Sequence, residues 1–307
     1  MDSGHLGKAF HGGAHYENFP VASRLLPPQM RLVMLPLYAF ARAGDDLADE
    51  GNLETRERLR GLAALLSGLR GQAGEDASGN ASTPDLGLSE IGMRLRNALD
   101  AKGIDIGQAE RLIRAFRMDA EHRPFPSERE LYRYCTYSAT PVGRLVLAAG
   151  SVIGSPDENS NLTEKSDAIC TGLQLINFAQ DLGEDFSRQR INVPVDWWPA
   201  GWQPGHGVAC LSAEVQRRWA RDLARLGARK IKSGVGLIAG VKKASVPENT
   251  RLALELSLII EGGLSIAEKI LLQPAAVWSR SPRLSRVDLT VVVFRAVLTF
   301  FRPHRHL

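Results

Sequence analysis

Cysteine is scarce: Cys135, Cys170 and Cys210 are the only three, and no CxxC spacing occurs among them. That excludes a disulfide framework and a zinc site built on paired cysteines, and it fits a reducing cytoplasm. No run of eighteen apolar residues occurs, and the opening Met1-Asp-Ser-Gly-His-Leu-Gly-Lys8 has no apolar core, so neither a membrane span nor a secretory signal is expected. Strand-like alternation is missing too, which points to an all-α chain. The formal charge is only +4 and no basic run is interleaved with aromatics, so no nucleic-acid partner is expected. Lysine is short, 8 residues against 30 arginines. Arginine's planar fork suits phosphate oxygens, although a GC-rich genome gives the same bias.

Two acidic stripes are present. At 100° per residue, Gln174, Asn177, Asp181 and Asp185 fall within about 80° of arc, flanked by Leu173, Leu175, Ile176 and Phe178. Far upstream, Tyr38, Arg42, Asp45 and Asp49 fall within about 60°. A solvated helix face explains either stripe alone. Two stripes of matched design are better explained by a cation, because carboxylates at i and i+4 repel by a few tenths of a kcal/mol on an exposed helix. Mg²⁺ takes one or two carboxylates and fills its shell with water and substrate phosphates. The pairing predicts a diphosphate held by metal between two helices, with Asp45, Asp49, Asp181 and Asp185 as ligands.

With His15-Tyr-Glu-Asn-Phe19, the Tyr38 to Glu50 block, Tyr134-Cys-Thr-Tyr-Ser-Ala-Thr-Pro-Val-Gly143 and Gln174 to Pro194, the chain resembles the squalene and phytoene synthase family over most of its length. Within that family Glu17 to Ser23 and Ser138 to Leu147 read like its bacterial hopanoid branch. The resemblance implies an isoprenoid synthase fold, one domain over 1–307 with helices around a central cavity. It implies Mg²⁺, a prenyl diphosphate substrate and no nicotinamide, and it allows neighbouring hopanoid-pathway enzymes as partners. In the favoured branch, presqualene diphosphate and water become hydroxysqualene and diphosphate. Two other readings stand beside it: condensation of two prenyl diphosphates, and a catalytically silent relative acting as a scaffold. The resemblance puts His15, Asn18 and Phe19 near the substrate, and Tyr134 with the Ser138 to Gly143 stretch in the pocket wall. Gln174 and Asn177 join the substrate contacts, Arg42 and Arg190 share the leaving group's charge, and Tyr38 and Tyr134 lie near the carbocation. Relatives often carry a late tyrosine facing the pocket, but no tyrosine follows Tyr137, so that role is not transferred.

Between these motifs the sequence predicts a mobile 1–14, a short helix over 16–26, and a helix from Gln29 to about Glu50 with Pro36 inside it. Helices over 53–69, 88–101 and 107–122 follow, with 71–85 as a flexible insertion. Asp119 and Glu121 read as a solvated helix end. Ser127 and Glu130 fit a capping box opening a helix that carries Tyr134, Ser138 and Pro141 on one side, and Pro141 and Gly143 are expected to free carbonyls beside the cavity. Trp197, Trp198 and Trp202 are expected to pack down a loop over 191–207, in which Asn192 receives no role. Helices over 212–232 and 248–272 precede a basic turn, Arg280 to Arg286, with a phosphate-contacting look. Leu289 to Phe301 reads first as a buried core helix and second as a peripheral membrane contact.

Overall fold

The computed structural model describes residues 26–49, 53–72, 83–156, 160–244 and 249–302, and the expectations for His15, Asn18, Phe19 and the 16–26 helix fall outside them, as do those for 1–14 and for 73–82. Among the described residues the fold is all-α, with no strand. In order the helices are α1 (Pro28–Asp49), α2 (Thr55–Leu69), α3 (Thr83–Asp100), α4 (Gly107–Glu121), α5 (Glu128–Ser138) and α6 (Thr140–Ala149). There follow α7 (Asn161–Gln180), α8 (Leu182–Ser187), α9 (Ala213–Gly234), α10 (Leu237–Lys243), α11 (Asn249–Leu272) and α12 (Arg286–Phe301).

Apolar spacing sets which face of each helix turns inward. On α1, Met30, Val33, Met34, Leu37, Phe40 and Ala48 are buried, and the helix runs through Pro36 without interruption. It packs against α2, α3, α4 and α6. The second half of the fold centres on α7, which lies against α5, α6, α9 and α11. Its contact with α9 is so close that a Cβ on Gly172 would stand 2.6 Å from the Gly227 carbonyl oxygen, and one on Gly227 would stand 2.7 Å from the Gly172 carbonyl oxygen. Serine hydroxyls open the helices where the backbone leaves N–H groups unpaired. Ser160 and Thr163 cap α7 reciprocally, and Ser212 and Ser285 cap α9 and α12.

The structure corrects several boundaries. Helix α3 begins at Thr83, inside the expected flexible insertion. Ser127 accepts from the Glu130 N–H as expected, but the Glu130 carboxylate pairs with Arg133 at 3.0 Å instead of closing the box. The helix opened by Ser127 breaks at Ala139, so Tyr134 and Ser138 belong to α5 and Pro141 to the first turn of α6. Near the end of α5, Thr136 O accepts twice from Arg111, at 3.2 and 3.0 Å. Gly143 faces α7, where a Cβ would meet Cys170 Sγ and Ser166 Oγ at 2.5 Å. The tryptophans do pack the loop: Trp198 bonds to Val193 O, and Trp202 stacks edge-on with Trp198 and Trp219.

Candidate active site

The first acidic stripe lies at the C-terminal end of α1, where the backbone dipole is negative and carboxylates are least welcome; of the second, Asp181 stands where α7 ends and Asp185 in the first turn of α8. Asp45 and Asp49 occupy the last turns of α1, and neither α1 nor α7 carries a basic residue in its last turn. The second stripe is not one continuous helix. Helix α7 ends at Gln180, and Asp181 is the hinge from which α8 begins, although the Asp185 N–H still bonds Asp181 O at 2.8 Å. That break turns α8 toward the Ala276 to Trp278 segment, with Gly183 so close that a Cβ would sit 2.6 Å from Trp278 O. The hinge also receives the basic turn: Ser281 donates to Asp181 Oδ1 at 3.1 Å, and Gln180 donates to Pro282 O at 2.8 Å.

Arg190 joins the two stripes. It follows α8 in a turn whose N–H bonds Asp185 O at 2.8 Å, and its guanidinium donates to Ala48 O at 3.2 Å and pairs with Asp49. Burial opposes the charge on Arg190, but Asp49, Asp119 and Asp185 outweigh that and hold it firmly protonated. The turn is itself tied down. Gln189 and His122, the residue capping α4, both adopt left-handed backbone (φ 59° and 40°), and His122 Nε2 lies 3.1 Å from Gln189 O.

The carboxylates around this arginine are short of cations. Burial, with Asn192 opposing and Asp181 adding, raises Asp185 to about 7. Asp45 is raised to about 6: helix walls strip solvent from it although part of its surface stays exposed, and Asp49 adds to the effect. Asp181 also moves up, by burial against the pull of Ser281. Asp119 was expected to be a solvated helix end and is instead half-buried in this centre. It accepts the Tyr134 hydroxyl at 2.9 Å, and burial with Asp49 raises it to about 8. Tyr134 is buried, its ring 5.2 Å from that of Phe125 and 5.9 Å from that of Phe178.

The structure thus gathers Asp45, Asp49, Asp181, Asp185 and Arg190, with Tyr134 alongside. Arg42 is on the same helix but pairs with Asp46 at 2.7 Å. Tyr38, Ser138, Gln174 and Asn177 are half-buried on α1, α5 and α7, and the Ser138 hydroxyl oxygen is buried with no hydrogen-bond partner among the described residues. Two residues were missed. Asp119 has no acid four residues away to mark a stripe, and Asn192, left without a role, donates to Asp185 Oδ2 at 2.9 Å.

Among the described residues no three acidic, histidine or cysteine side chains stand close enough to enclose an ion by themselves. The donors come in pairs, all hard oxygens, and burial has raised Asp45, Asp181 and Asp185. That set fits Mg²⁺, which needs only one or two carboxylates where phosphates and water complete its shell.

Known proteins resemble this chain over most of its length. The model of the squalene/phytoene synthase family matches residues 13–288. A hydroxysqualene synthase of Sinorhizobium fredii is 33% identical over 276 residues, covering 89% of this chain and 84% of the relative. Another, from Rhodopseudomonas palustris, is 32% identical over 279 residues, covering 91% and 85%. Among solved structures, a squalene synthase from Alicyclobacillus acidocaldarius aligns with a TM-score of 0.61 at 30% identity, covering 84% of this chain and 89% of that one. A dehydrosqualene synthase in complex with ligand aligns at 0.66 and 17% identity, covering 90% and 89%, which is a likeness of fold.

Proposed function

This chain belongs to the squalene/phytoene synthase family, and from that premise we propose that it converts presqualene diphosphate and water into hydroxysqualene and diphosphate. The coarser statement is plain: it is a prenyl-diphosphate-dependent synthase. The finer one is supported by relatives of that name along most of the chain, and above all by Arg190. Rooted just beyond Asp185 and paired with Asp49, it makes one anion-handling centre of the two acidic helix ends.

In this reading Asp45 and Asp49 on one side, and Asp181 and Asp185 on the other, hold Mg²⁺, with Asn177 beside them. The ion when bound draws charge onto the departing diphosphate. Arg190 and Arg42 exchange Asp49 and Asp46 for the leaving group's oxygens, which their planar forks suit. As the C–O bond breaks, the cyclopropylcarbinyl cation rearranges to the linear skeleton beside Tyr38 and Tyr134. The hydrogen bond that Tyr134 donates to Asp119 fixes the tyrosine in place, and its ring is the face it offers the cation. Water then forms the new C–O bond and releases its proton.

Mass spectrometry of the product formed from presqualene diphosphate in oxygen-labelled water tests this directly. One labelled oxygen in a C30 alcohol, without nicotinamide, is expected. Consumption of farnesyl diphosphate alone in the presence of Mg²⁺ would assign the chain to the condensing reaction. Release of no diphosphate from any prenyl diphosphate would favour the scaffold. Asp45→Asn and Asp181→Asn should each lower turnover by about 100-fold or more while circular dichroism stays unchanged. Unfolding of these variants would make the carboxylates structural.

A further inference from the structure

Helix α12 is apolar on both sides, and only one of them is used inside the fold. Val292, Ala296 and Thr299 are buried. Thr299 donates to Glu261 at 2.5 Å, and Arg295 reaches Glu268 at 2.8 and 3.0 Å, so the inner side is packed and paired against α11. On the outer side Val287, Thr290, Phe294, Val297 and Phe301 share about 80° of arc. Val287 is 74% exposed, Phe294 66% and Phe301 69%. Single exposed apolar residues are ordinary on a protein surface, but a continuous stripe of them marks a binding face.

The ends of this stripe are basic. Arg286 stands in the first turn and Arg302 directly after the last, both exposed. Lys242 of α10 donates to Phe300 O at 3.1 Å, with its ammonium 4.2 Å from the centre of the Phe300 ring. The two acids paired at this helix, Asp288 and Glu268, are neutralised by Lys269 and Arg295. We infer that this face docks the protein on an anionic lipid bilayer, with α12 lying in the plane of the headgroups. Lysines and arginines near such a surface are each worth about five-fold in binding, and an exposed apolar helix face buries itself at the acyl boundary. None of the helices described is long and apolar enough to cross a membrane, so α12 lies on the surface and does not span it.

A second copy of the chain fits this face poorly. A helix of 16 residues is about 24 Å long and 10 Å wide, which offers roughly 240 Å² against the ~800 Å² per partner of a stable interface. Two-fold pairing would also bring like charges together. An antiparallel arrangement sets Arg286 against the copy's Arg302, and a parallel one sets each arginine against itself. The inference rests on α12 and on Lys242 beside it; the proposed reaction adds only that a water-insoluble C30 product would be released where it dissolves.

The test is co-sedimentation of the full chain with vesicles of phosphatidylcholine alone or of phosphatidylcholine with one third phosphatidylglycerol. Binding to the mixed vesicles, weaker by about ten-fold on the neutral ones or at high salt, is expected. Phe294→Glu with Phe301→Glu should weaken it by at least about ten-fold with unchanged circular dichroism, whereas Phe294→Leu should retain it. Lys242→Gln with Arg302→Gln should lower binding to the anionic vesicles only. Wild-type protein left in the supernatant, equal binding to both vesicle types, or the double glutamate variant binding like wild type overturns the inference. So does a concentration-dependent dimer broken by Phe294→Glu in a protein that ignores vesicles, which would give the face to a second copy. Every readout is binding, so a failed product assay leaves this result untouched, and the reverse holds too.

Discussion

Asp119 holds a proton near neutral pH chiefly because it is buried beside Asp49 and Asp45; the hydroxyl of Tyr134 and the guanidinium of Arg190, itself paired with Asp49, offset this only in part. An amide in its place can still accept the Tyr134 hydrogen bond, so Asp119→Asn separates charge from geometry. We expect the melting temperature to hold or rise while turnover falls by about 10- to 100-fold, as for residues that support metal-binding carboxylates. Turnover like wild type would mean that Asp119 serves only to orient the tyrosine. Arg190→Lys keeps the charge but cannot reach both Asp49 and Ala48 O from one planar group, and should cost at least about ten-fold in turnover. At this scale the sequence was legible only where acids repeat at helical spacing. Asp45, Asp49, Asp181 and Asp185 announce one another. Asp119 and Asn192 reach the centre through tertiary packing that no local spacing encodes.

Elements were legible where their apolar period was clean and their ends were capped. Helices α1, α4 and α9 begin and end within a few residues of expectation, whereas the hinge at Asp181 was hidden because an i to i+4 bond still spans it. Helix α12 was misread for a different reason. A helix apolar on all sides gives no hint of which side is covered, and core is the natural inference. Close helix contacts supply a test. A Cβ on Gly44 would stand 2.3 Å from the Phe116 ring, where α1 meets α4 just before Asp45. Gly44→Ala should therefore lose about 1–3 kcal/mol in urea unfolding, partly restored by Phe116→Leu. Gly172→Ala should lose more and resist rescue, because the obstacle there is the backbone of Gly227. Equal losses would mean that α7 and α9 can slide apart.

For the whole molecule, crowded carboxylates make stability depend on pH in an unusual direction. Asp45, Asp185 and Asp119 sit at about 6, about 7 and about 8 in the folded state, against 3.8 ordinarily. Between about pH 4 and 8 the folded chain binds more protons than the unfolded one, so stability falls as pH rises. Facing these groups, Asp46, Asp49 and Asp181 add repulsion, while Arg42, Arg190, Asn192 and Tyr134 relieve it. Metal-free protein should melt several degrees lower at about pH 8 than at about pH 5, and Mg²⁺ with inorganic diphosphate should narrow the gap. A melting temperature that climbs over that range would show the carboxylates to be well paired. The guanidinium of Arg190 already fills the role of counter-ion, so the acidic centre is a tied knot rather than an open cup. An entering cation must displace that guanidinium from Asp49, and an entering anion must give it somewhere to go. Each ligand alone is opposed and the two together are welcomed, so in calorimetry their affinities should multiply, and free magnesium at ordinary concentrations should leave the knot closed.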